Sequence, residues 1–256
     1  MPHNHLHNMR SHELRVALTL LPPVRDNGNA PRLLELGAGT GFQAACLSSM
    51  GYRVSAVELA TSAYSGSRVF EVVDYDGKRL PFDDSSFDIV FSSNVLEHVS
   101  DLVGLMSEIR RVLAPSGVAV HVLPTPAWRL WTTVAHPVWV ISRILRRLRR
   151  PDVGPGMEGG GGLSRRMVDD LLPSRHGERG NVFTETIYFS RWWWRRCFEA
   201  NGFEVQAERP AGILYSGCMV LGSSWGIESR VGFSRWFGSS CRIFKLAVGQ
   251  QLGEKK

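Results

Sequence analysis

The feature that most constrains the fold of this chain is a glycine-rich turn between a short apolar strand and a helix. Residues 33–41 read Leu-Leu-Glu-Leu-Gly-Ala-Gly-Thr-Gly, and a helix with apolar residues follows directly. Glycine is needed where a chain turns with positive φ, or where a Cβ atom would collide with a ligand. The amides at the start of the following helix would then face the bound molecule. The pattern predicts a pocket for a nucleotide-like ligand.

A second strand and a second acidic residue extend this pattern into a βαβ unit. Residues 53–57 read as a strand that ends at Glu58, where a ribose diol would lie and where a carboxylate can accept from both hydroxyls. A dehydrogenase would show similar geometry, but it would normally have a third glycine at position 42, which is Phe42 here. Glu35, inside the motif, suits a ligand with a positive charge, such as an ammonium or a sulfonium.

A third segment, residues 80–99, distinguishes a dehydrogenase site from a site for a positively charged ligand. It runs Leu-Pro-Phe-Asp-Asp-Ser-Ser-Phe-Asp-Ile-Val-Phe-Ser-Ser-Asn-Val-Leu-Glu-His-Val after a strand that ends at Asp74. With it, the chain resembles the class I S-adenosylmethionine-dependent methyltransferases, and among them the methyltransferase type 11 group that includes the ubiquinone and menaquinone biosynthesis enzymes. The matching pieces are residues 35–41, Glu58, Asp74, residues 80–99 and residues 111–117. These motifs are specific for the fold and the cofactor, but they give almost no information on the substrate.

The resemblance implies that S-adenosylmethionine is the cofactor and gives each motif a role. The glycine turn would line the methionine part, with Glu35 close to its amino group. Glu58 would hold the ribose hydroxyls, Asp74 would accept from the adenine amine with Tyr75 beside the ring, and residues 92–94 would form the floor under the sulfonium. The implied cofactor-binding residues are Glu35, Gly37, Ala38, Gly39, Thr40, Gly41, Glu58, Leu59, Asp74, Tyr75, Ser92, Ser93 and Asn94.

The same resemblance implies an α/β fold. We expect a Rossmann-like, doubly wound, seven-stranded and mainly parallel sheet, with an antiparallel C-terminal hairpin and a helical insertion after the fifth strand. The last two strands are predicted at 203–205 and 213–221, and the polar, His-rich N-terminus is predicted to be disordered. The expected organisation is an N-terminal segment (1–30), a cofactor-binding core (31–123), an insertion (124–190), the C-terminal part of the core (191–222) and a tail (223–256).

The insertion is the most distinctive part of the chain. Residues 126–150 show apolar positions at steps of three or four, which predicts a helix that Pro137 must break or kink. Residues 124–150 hold six arginines and no acid, in a chain of net charge +6. Tryptophan on one face and arginine on the other is typical of a helix in an anionic membrane interface, although the apolar run is too short to span a bilayer, which needs about 20 residues. The apolar positions are Trp128, Trp131, Ala135, Val138, Ile141, Leu145 and Leu148.

Two other interpretations of this insertion stay open. The apolar stripe could pack on the protein as a lid over the active site, with solvated arginines. The arginines could instead bind an anionic substrate or nucleic acid, but nucleic acid is not expected because no RNA-binding motif is present. Residues 151–163, rich in glycine, predict a flexible linker after the helix.

A second loop, residues 176–181, supplies the candidates for catalysis. Because its polar side chains stand between glycines, we predict His176 as the general base, with Glu178 or Glu185 orienting it and His121 as the second candidate. A turn with solvated charges is the alternative. S-adenosylmethionine is already a strong methyl donor, so the protein mainly aligns nucleophile, methyl carbon and sulfur.

These observations predict a cytoplasmic S-adenosylmethionine-dependent methyltransferase, with peripheral contact at the inner face of the membrane as a further expectation. The expected acceptor is a hydroxyl of a small-molecule, glycan or lipid-linked compound. One alternative is a C-methyltransferase of a quinone-like ring, and an alternative of another class is a non-catalytic S-adenosylmethionine-binding regulatory or scaffold protein. The four cysteines are scattered without metal-ligand spacing, so no metal is predicted.

Overall fold

A computed structural model describes residues 2–24, 29–149, 175–217 and 225–249. A seven-stranded sheet has the order β3-β2-β1-β4-β5-β7-β6. β1 to β5 run parallel, whereas β7 is antiparallel to both β5 and β6. The predicted doubly wound sheet with an antiparallel C-terminal pair is confirmed. The strands are β1 Arg32–Leu36, β2 Arg53–Leu59, β3 Val73–Tyr75, β4 Phe87–Ser93, β5 Leu113–Pro124, β6 Phe203–Pro210 and β7 Cys241–Val248.

Helices cover both faces of this sheet, which explains why its central strands are apolar on both sides. One face packs Leu33, Ile89 and Val120 against helix α1, and the other packs apolar residues of the same strands against α3 and α6. The helices are α1 Pro2–Leu18, α2 Phe42–Ser49, α3 Leu102–Val112, α4 Pro126–Arg149, α5 Glu185–Tyr188, α6 Arg191–Ala200 and α7 Ile227–Phe237. Between β2 and β3 there is only a 3₁₀ turn, Ser65–Ser67.

The prediction of a disordered N-terminus was wrong, because residues 2–18 form helix α1. Met9, Leu14 and Ala17 of this helix are buried in the core. Glu13, on the same side, is also fully buried, and it accepts hydrogen bonds from Arg10 (2.8 Å) and from the Tyr215 hydroxyl (2.7 Å). The sequence prediction missed these apolar residues because it rested on composition, which is dominated here by His3, His5, His7 and His12.

The prediction of the last strand at 213–221 was also wrong. Residues 213–217 form no strand, and residues 218–224 lie outside the described part of the chain. The second strand of the hairpin is instead β7, which comes from the predicted tail and lies between β5 and β6. Ile213 and Tyr215 are buried, but the Tyr215 amide donates to the Ser240 hydroxyl (2.7 Å) and not to a neighbouring strand. The apolar residues at 213–217 are therefore explained by burial in the core and not by membership of a strand.

The predicted insertion helix is confirmed as α4, Pro126–Arg149, and it continues through Pro137. Of the break or kink predicted at this proline, the break was therefore wrong. The proline removes only its own amide donor, and the amides around it belong to the same continuous helix. The predicted linker at 151–163 lies outside the described residues. Among the described helices, none is both long and apolar enough to cross a membrane.

The position of β7 generates a stability prediction. Phe244 is 1% exposed and packs on Phe198, with ring centroids 5.5 Å apart. We expect Phe244→Ala to lower the free energy of unfolding by about 3–5 kcal/mol, the usual cost of emptying an aromatic core position. Lys245→Ala, on the same strand but only half-buried, should cost far less. Urea unfolding measures the free energy of unfolding of both variants. Equally small losses in the two would contradict the placement of β7 between β5 and β6 with Phe244 in the core.

Candidate functional site

The carboxyl ends of β1, β2 and β4 meet at one edge of the sheet, and the glycine turn lies there. Gly37, Gly39 and Gly41 all have positive φ, at 65°, 55° and 78°. A Cβ atom on Gly37 would lie 2.5 Å from Val95, and one on Gly41 would lie 2.6 Å from Phe70. These two glycines are therefore required by packing of the protein on itself.

Gly39 differs from its two neighbours in the turn. A Cβ atom there would meet only the ring of Tyr64, at 3.6 Å, which is an ordinary contact. Tyr64 and the next residue of the turn, Thr40, line a cleft of about 640 Å³. The start of α1 stands beside it, with the rings of His7 and Phe42 at 4.6 Å. The cleft is lined by His7, Asn8, Thr40, Phe42, Tyr64, Ser67 and Val69.

Two acidic residues lie side by side at the ends of β2 and β3. The Glu58 carboxylate accepts from the amides of Gly39 and Leu59, each at 2.8 Å, so it joins the glycine turn to the end of β2. Asp74 is paired with Glu58 in the register of the two strands and forms an ion pair with Arg68, which lowers the pKa of Asp74. The structure therefore brings together the two acids to which the resemblance assigns ribose and adenine contacts.

Glu35 is the buried acid under the turn. It is 2% exposed, and its Oε2 atom has no hydrogen-bond partner among the described residues. Burial raises the pKa of Glu35 to about 8, and the nearby Glu58 acts in the same direction. A buried carboxylate with an unpartnered oxygen is stabilised by a cation, as predicted for the amino group of the cofactor.

The three residues predicted as a floor under the sulfonium divide between two environments. Asn94, at the end of β4, takes a left-handed conformation with φ 55°, and its side chain lies 3.3 Å from the Ser93 hydroxyl. Ser92, by contrast, is fully buried, and its hydroxyl lies 2.8 Å from Nδ1 of His121. Side chains alternate along a strand, so Ser92 points to the face of the sheet that packs against α6 and not towards the cleft.

His121 is a core residue, which corrects its prediction as a second candidate base. It is fully buried and stacks on Phe198, with ring centroids 6.0 Å apart. Burial alone lowers the pKa of His121 to about 3, so the imidazole is neutral in the folded protein. No acceptor can reach this ring without opening the packing between the sheet and α6.

The loop that carries His176 is held by a buried carboxylate. Oε1 of Glu185 accepts from the amides of His176 and Gly177, at 2.6 and 2.8 Å, and Oε2 lies 3.0 Å from the Arg129 guanidinium. Glu185 and Arg129 are both buried. The prediction that Glu185 orients the imidazole was wrong, since it holds the loop backbone. The exposed Glu178 pairs with Arg175 at 3.4 Å, so it does not orient the ring either.

His176 lies in a cluster of titratable side chains just beyond β4. Its ring is 4.6 Å from that of His98 and 4.3 Å from that of Trp128, measured between centroids. Burial lowers the pKa of His176 to about 4, and His98, Arg10 and Arg129 act in the same direction. The structure thus gives His176 a neutral imidazole, half-buried at the same edge of the sheet as the glycine turn.

Glu97, which was not among the predicted site residues, completes this cluster. It is 2% exposed, neither carboxylate oxygen has a hydrogen-bond partner among the described residues, and burial raises the pKa of Glu97 to about 8. Ligand atoms of Glu97, His98 and His176 all lie within 4.8 Å of one another. Such groups can move a proton or hold a divalent cation. Two adjacent titratable residues directly after a strand were the available sequence signal.

A buried chain of polar groups lies next to Asn94. The Cys241 thiol is 3.5 Å from the Asn94 side-chain oxygen and 3.2 Å from the Tyr215 hydroxyl, which donates to Glu13. Burial holds the pKa values of Tyr215 and Cys241 well above their usual ranges, so both stay neutral. Sequence reasoning missed Glu13, Tyr215 and Cys241 because they come from three distant segments.

Comparison with known proteins agrees with this geometry. Residues 34–121 match the family model of a methyltransferase domain. This part of the chain is a methyltransferase domain. The family predicted from the glycine turn and the motifs after it is thereby confirmed. The match ends near the end of β5, so α4 and the loop of His176 lie outside it.

Curated relatives match over the same part of the chain. A demethylmenaquinone methyltransferase of Beutenbergia cavernae is 39% identical over 102 residues, which cover 38% of this chain and 42% of that protein. A malonyl-[acyl-carrier protein] O-methyltransferase of Serratia marcescens is 34% identical over 91 residues, which cover 34% of this chain and 36% of that protein. The matched segment therefore spans less than half the length of these relatives.

A solved structure is similar over nearly the whole of this chain. A methyltransferase of Haloferax volcanii, solved in complex with a methyltransferase activator, has a TM-score of 0.59 and 15% identity. The alignment covers 95% of this chain and 91% of that one. At this identity the likeness shows the fold alone, and it confirms the Rossmann-like architecture.

The difference among the three glycines generates a binding prediction. Gly39→Ala should place a methyl group in the cleft and weaken binding of S-adenosylhomocysteine, while the strain at positive φ costs about 1–2 kcal/mol of stability. Gly66→Ala is the control, since a Cβ atom there meets nothing within 4 Å. Calorimetric titration of the two variants should separate them. Wild-type affinity in Gly39→Ala would place the ligand elsewhere.

Proposed function

We propose that this protein transfers a methyl group from S-adenosylmethionine to a hydroxyl of a small-molecule, glycan or lipid-linked acceptor. One observation carries the proposal. The glycine turn and Glu58, which suit the cofactor, share one edge of the sheet with the cluster of Glu97, His98 and His176, which suits an acceptor that must lose a proton.

The residues around the turn fit the cofactor in three respects. The unpartnered oxygen of buried Glu35 suits an ammonium group. Glu58 ends β2 with a carboxylate that can accept from ribose hydroxyls, and Gly39 leaves open the space that a side chain would fill. When bound there, S-adenosylmethionine supplies an electrophilic methyl group. The protein's own task is then to hold the acceptor in line and to exclude water.

The histidine cluster favours an oxygen acceptor over a carbon one. A hydroxyl must lose its proton as it attacks, and the half-buried imidazole of His176 has a lone pair that can accept it. Burial lowers the pKa of His176 to about 4, so the ring is neutral but is a weaker base than an exposed histidine. His98 stands beside it, and Trp128 covers its ring on the side of α4. One curated relative is named an O-methyltransferase, which agrees with this choice, whereas the demethylmenaquinone methyltransferase represents the quinone-directed alternative.

Methyl-labelled cofactor tests the proposed activity. The protein would be incubated with S-adenosylmethionine carrying a ¹³C-methyl group and with aqueous and lipid fractions of a cell extract. We expect a labelled product whose methyl carbon is bonded to oxygen, as read by NMR spectroscopy. A methyl group bonded to carbon would support the quinone-type alternative. A protein that binds the cofactor and labels no compound would support the regulatory or scaffold alternative.

Substitution of His176 tests the proposed proton acceptor. His176→Ala should lower turnover by about 10²–10⁴-fold and leave binding of S-adenosylhomocysteine unchanged, because the ring lies in the cluster and not at the glycine turn. Glu178→Gln should keep nearly full turnover, since that carboxylate is exposed and pairs with Arg175. Full activity of His176→Ala would exclude this role. Loss of wild-type activity on chelation, with recovery on adding a divalent metal, would assign the cluster to a metal instead.

A further inference from the structure

Helix α4 exposes a continuous apolar stripe on its outer side. Its members recur at steps of three or four, so they lie on one side of the helix. Each is between 48% and 58% exposed, an unusual degree of exposure for large apolar side chains at every turn of a helix. The stripe consists of Leu130, Val134, Val138, Ile141 and Leu145.

The opposite side of α4 is already packed on the protein. Trp128, Arg129, Thr132 and His136 are buried there, and Arg129 pairs with Glu185 beneath the loop of His176. The helix is therefore held in place without using its outer stripe. The lid interpretation accounts for the inner side, but it leaves the outer apolar side without a function.

Helix α7 brings further exposed aromatic residues next to α4. The Trp131 indole donates to the backbone oxygen of Phe237 (2.9 Å), and the two rings meet edge to face at 5.3 Å. This contact fixes the end of α7 against the second turn of α4. Phe233, Phe237 and Trp236 of α7 are exposed, and Trp236 is 86% exposed. We call these three residues and the five of the stripe the α4–α7 patch.

The charge of α4 indicates what covers this patch. Positions 143, 146, 147 and 149, in the last two turns of the helix, are all arginine in the sequence, and the helix contains no acidic residue. Apolar and aromatic side chains next to a run of arginine suit the interface of an anionic bilayer, where rings and aliphatic groups enter the headgroup region and cations attract phosphate. A protein partner would need complementary acids as well as an apolar groove.

We propose that the α4–α7 patch docks this protein onto the surface of an anionic lipid bilayer. The stripe from residue 130 to residue 145 is about 22 Å long at 1.5 Å per residue, so the helix would lie along the surface. No described helix is suited to cross the bilayer, which agrees with contact from one side. Because the first turn of α4 also holds the loop of His176, docking places the candidate site close to compounds in the membrane. The docking itself does not depend on the proposed methyl transfer.

Vesicle sedimentation of the full chain tests this docking. We expect binding to vesicles that contain phosphatidylglycerol, little binding to pure phosphatidylcholine, and a decrease with added salt because exposed charges are screened over about 8–10 Å. Val138→Asp should weaken binding roughly 10-fold or more by placing a charge in the apolar stripe. Val103→Asp is the control, since Val103 is also an exposed valine (68%, against 54% for Val138) and lies on another helix, α3, outside the patch. Circular dichroism would check that both variants fold.

Three results would overturn the docking proposal. The first is no sedimentation with either vesicle at low salt, and the second is equal weakening by Val138→Asp and Val103→Asp. The third is concentration-dependent self-association in light scattering that Val138→Asp abolishes, because a second copy of the chain would then cover the patch. Titration of S-adenosylhomocysteine without vesicles is independent of these results, so failure of the docking can be told apart from failure of the proposed function.

Discussion

The buried ion pair between Arg129 and Glu185 connects helix α4 to the loop that carries His176. Arg129 comes from the first turn of α4, and Glu185 holds the backbone of His176 and Gly177 with its other oxygen. Removing one partner of a buried pair typically costs about 3–5 kcal/mol, because the remaining charge stays buried without compensation. The loop of His176 in turn meets the chain just beyond β4, where the Glu178 amide donates to the backbone oxygen of Glu97 (2.9 Å). Both partners of the ion pair belong to the insertion, which lies outside the matched methyltransferase domain, so the pair fastens α4 to that loop. Both the position of His176 and the outward stripe of α4 depend on this contact.

Four buried carboxylates surround the site, and they divide into two kinds. Glu13 and Glu185 accept hydrogen bonds from arginine, tyrosine or backbone groups, and they hold the structure together. Glu35 and Glu97 keep oxygens without a hydrogen-bond partner among the described residues, and burial raises the pKa of each to about 8. Since the unfolded chain releases these protons near pH 4.5, each of the two acids lowers stability as the pH rises from there towards 8. A cation or a proton donor beside them would remove that cost, which marks both as positions for a ligand.

The local parts of this fold could be predicted from the sequence, whereas the long-range parts could not. The glycine turn, the strands up to β5 and the acid that ends β2 follow from patterns within about 30 residues. β7 could not be assigned, because an apolar run at 213–217 resembles a strand and only pairing across the sheet selects Cys241–Val248. The same limit applies to Ser92 and His121. The alternation of side chains along β4 and β5 places both residues on the same face of the sheet. Only the packing of α6 shows that a helix covers them there. The cluster at Glu97 likewise depends on a loop more than 70 residues further along the chain.

The claim on which the function depends is that the glycine turn and Glu58 form a site for S-adenosylmethionine. Isothermal titration calorimetry of the unaltered protein with S-adenosylhomocysteine, and separately with NAD, tests it most directly. We predict saturable binding of S-adenosylhomocysteine at one site per chain and no measurable heat with NAD. Tighter binding of NAD than of S-adenosylhomocysteine would contradict the claim and return the glycine turn to the dinucleotide-binding class.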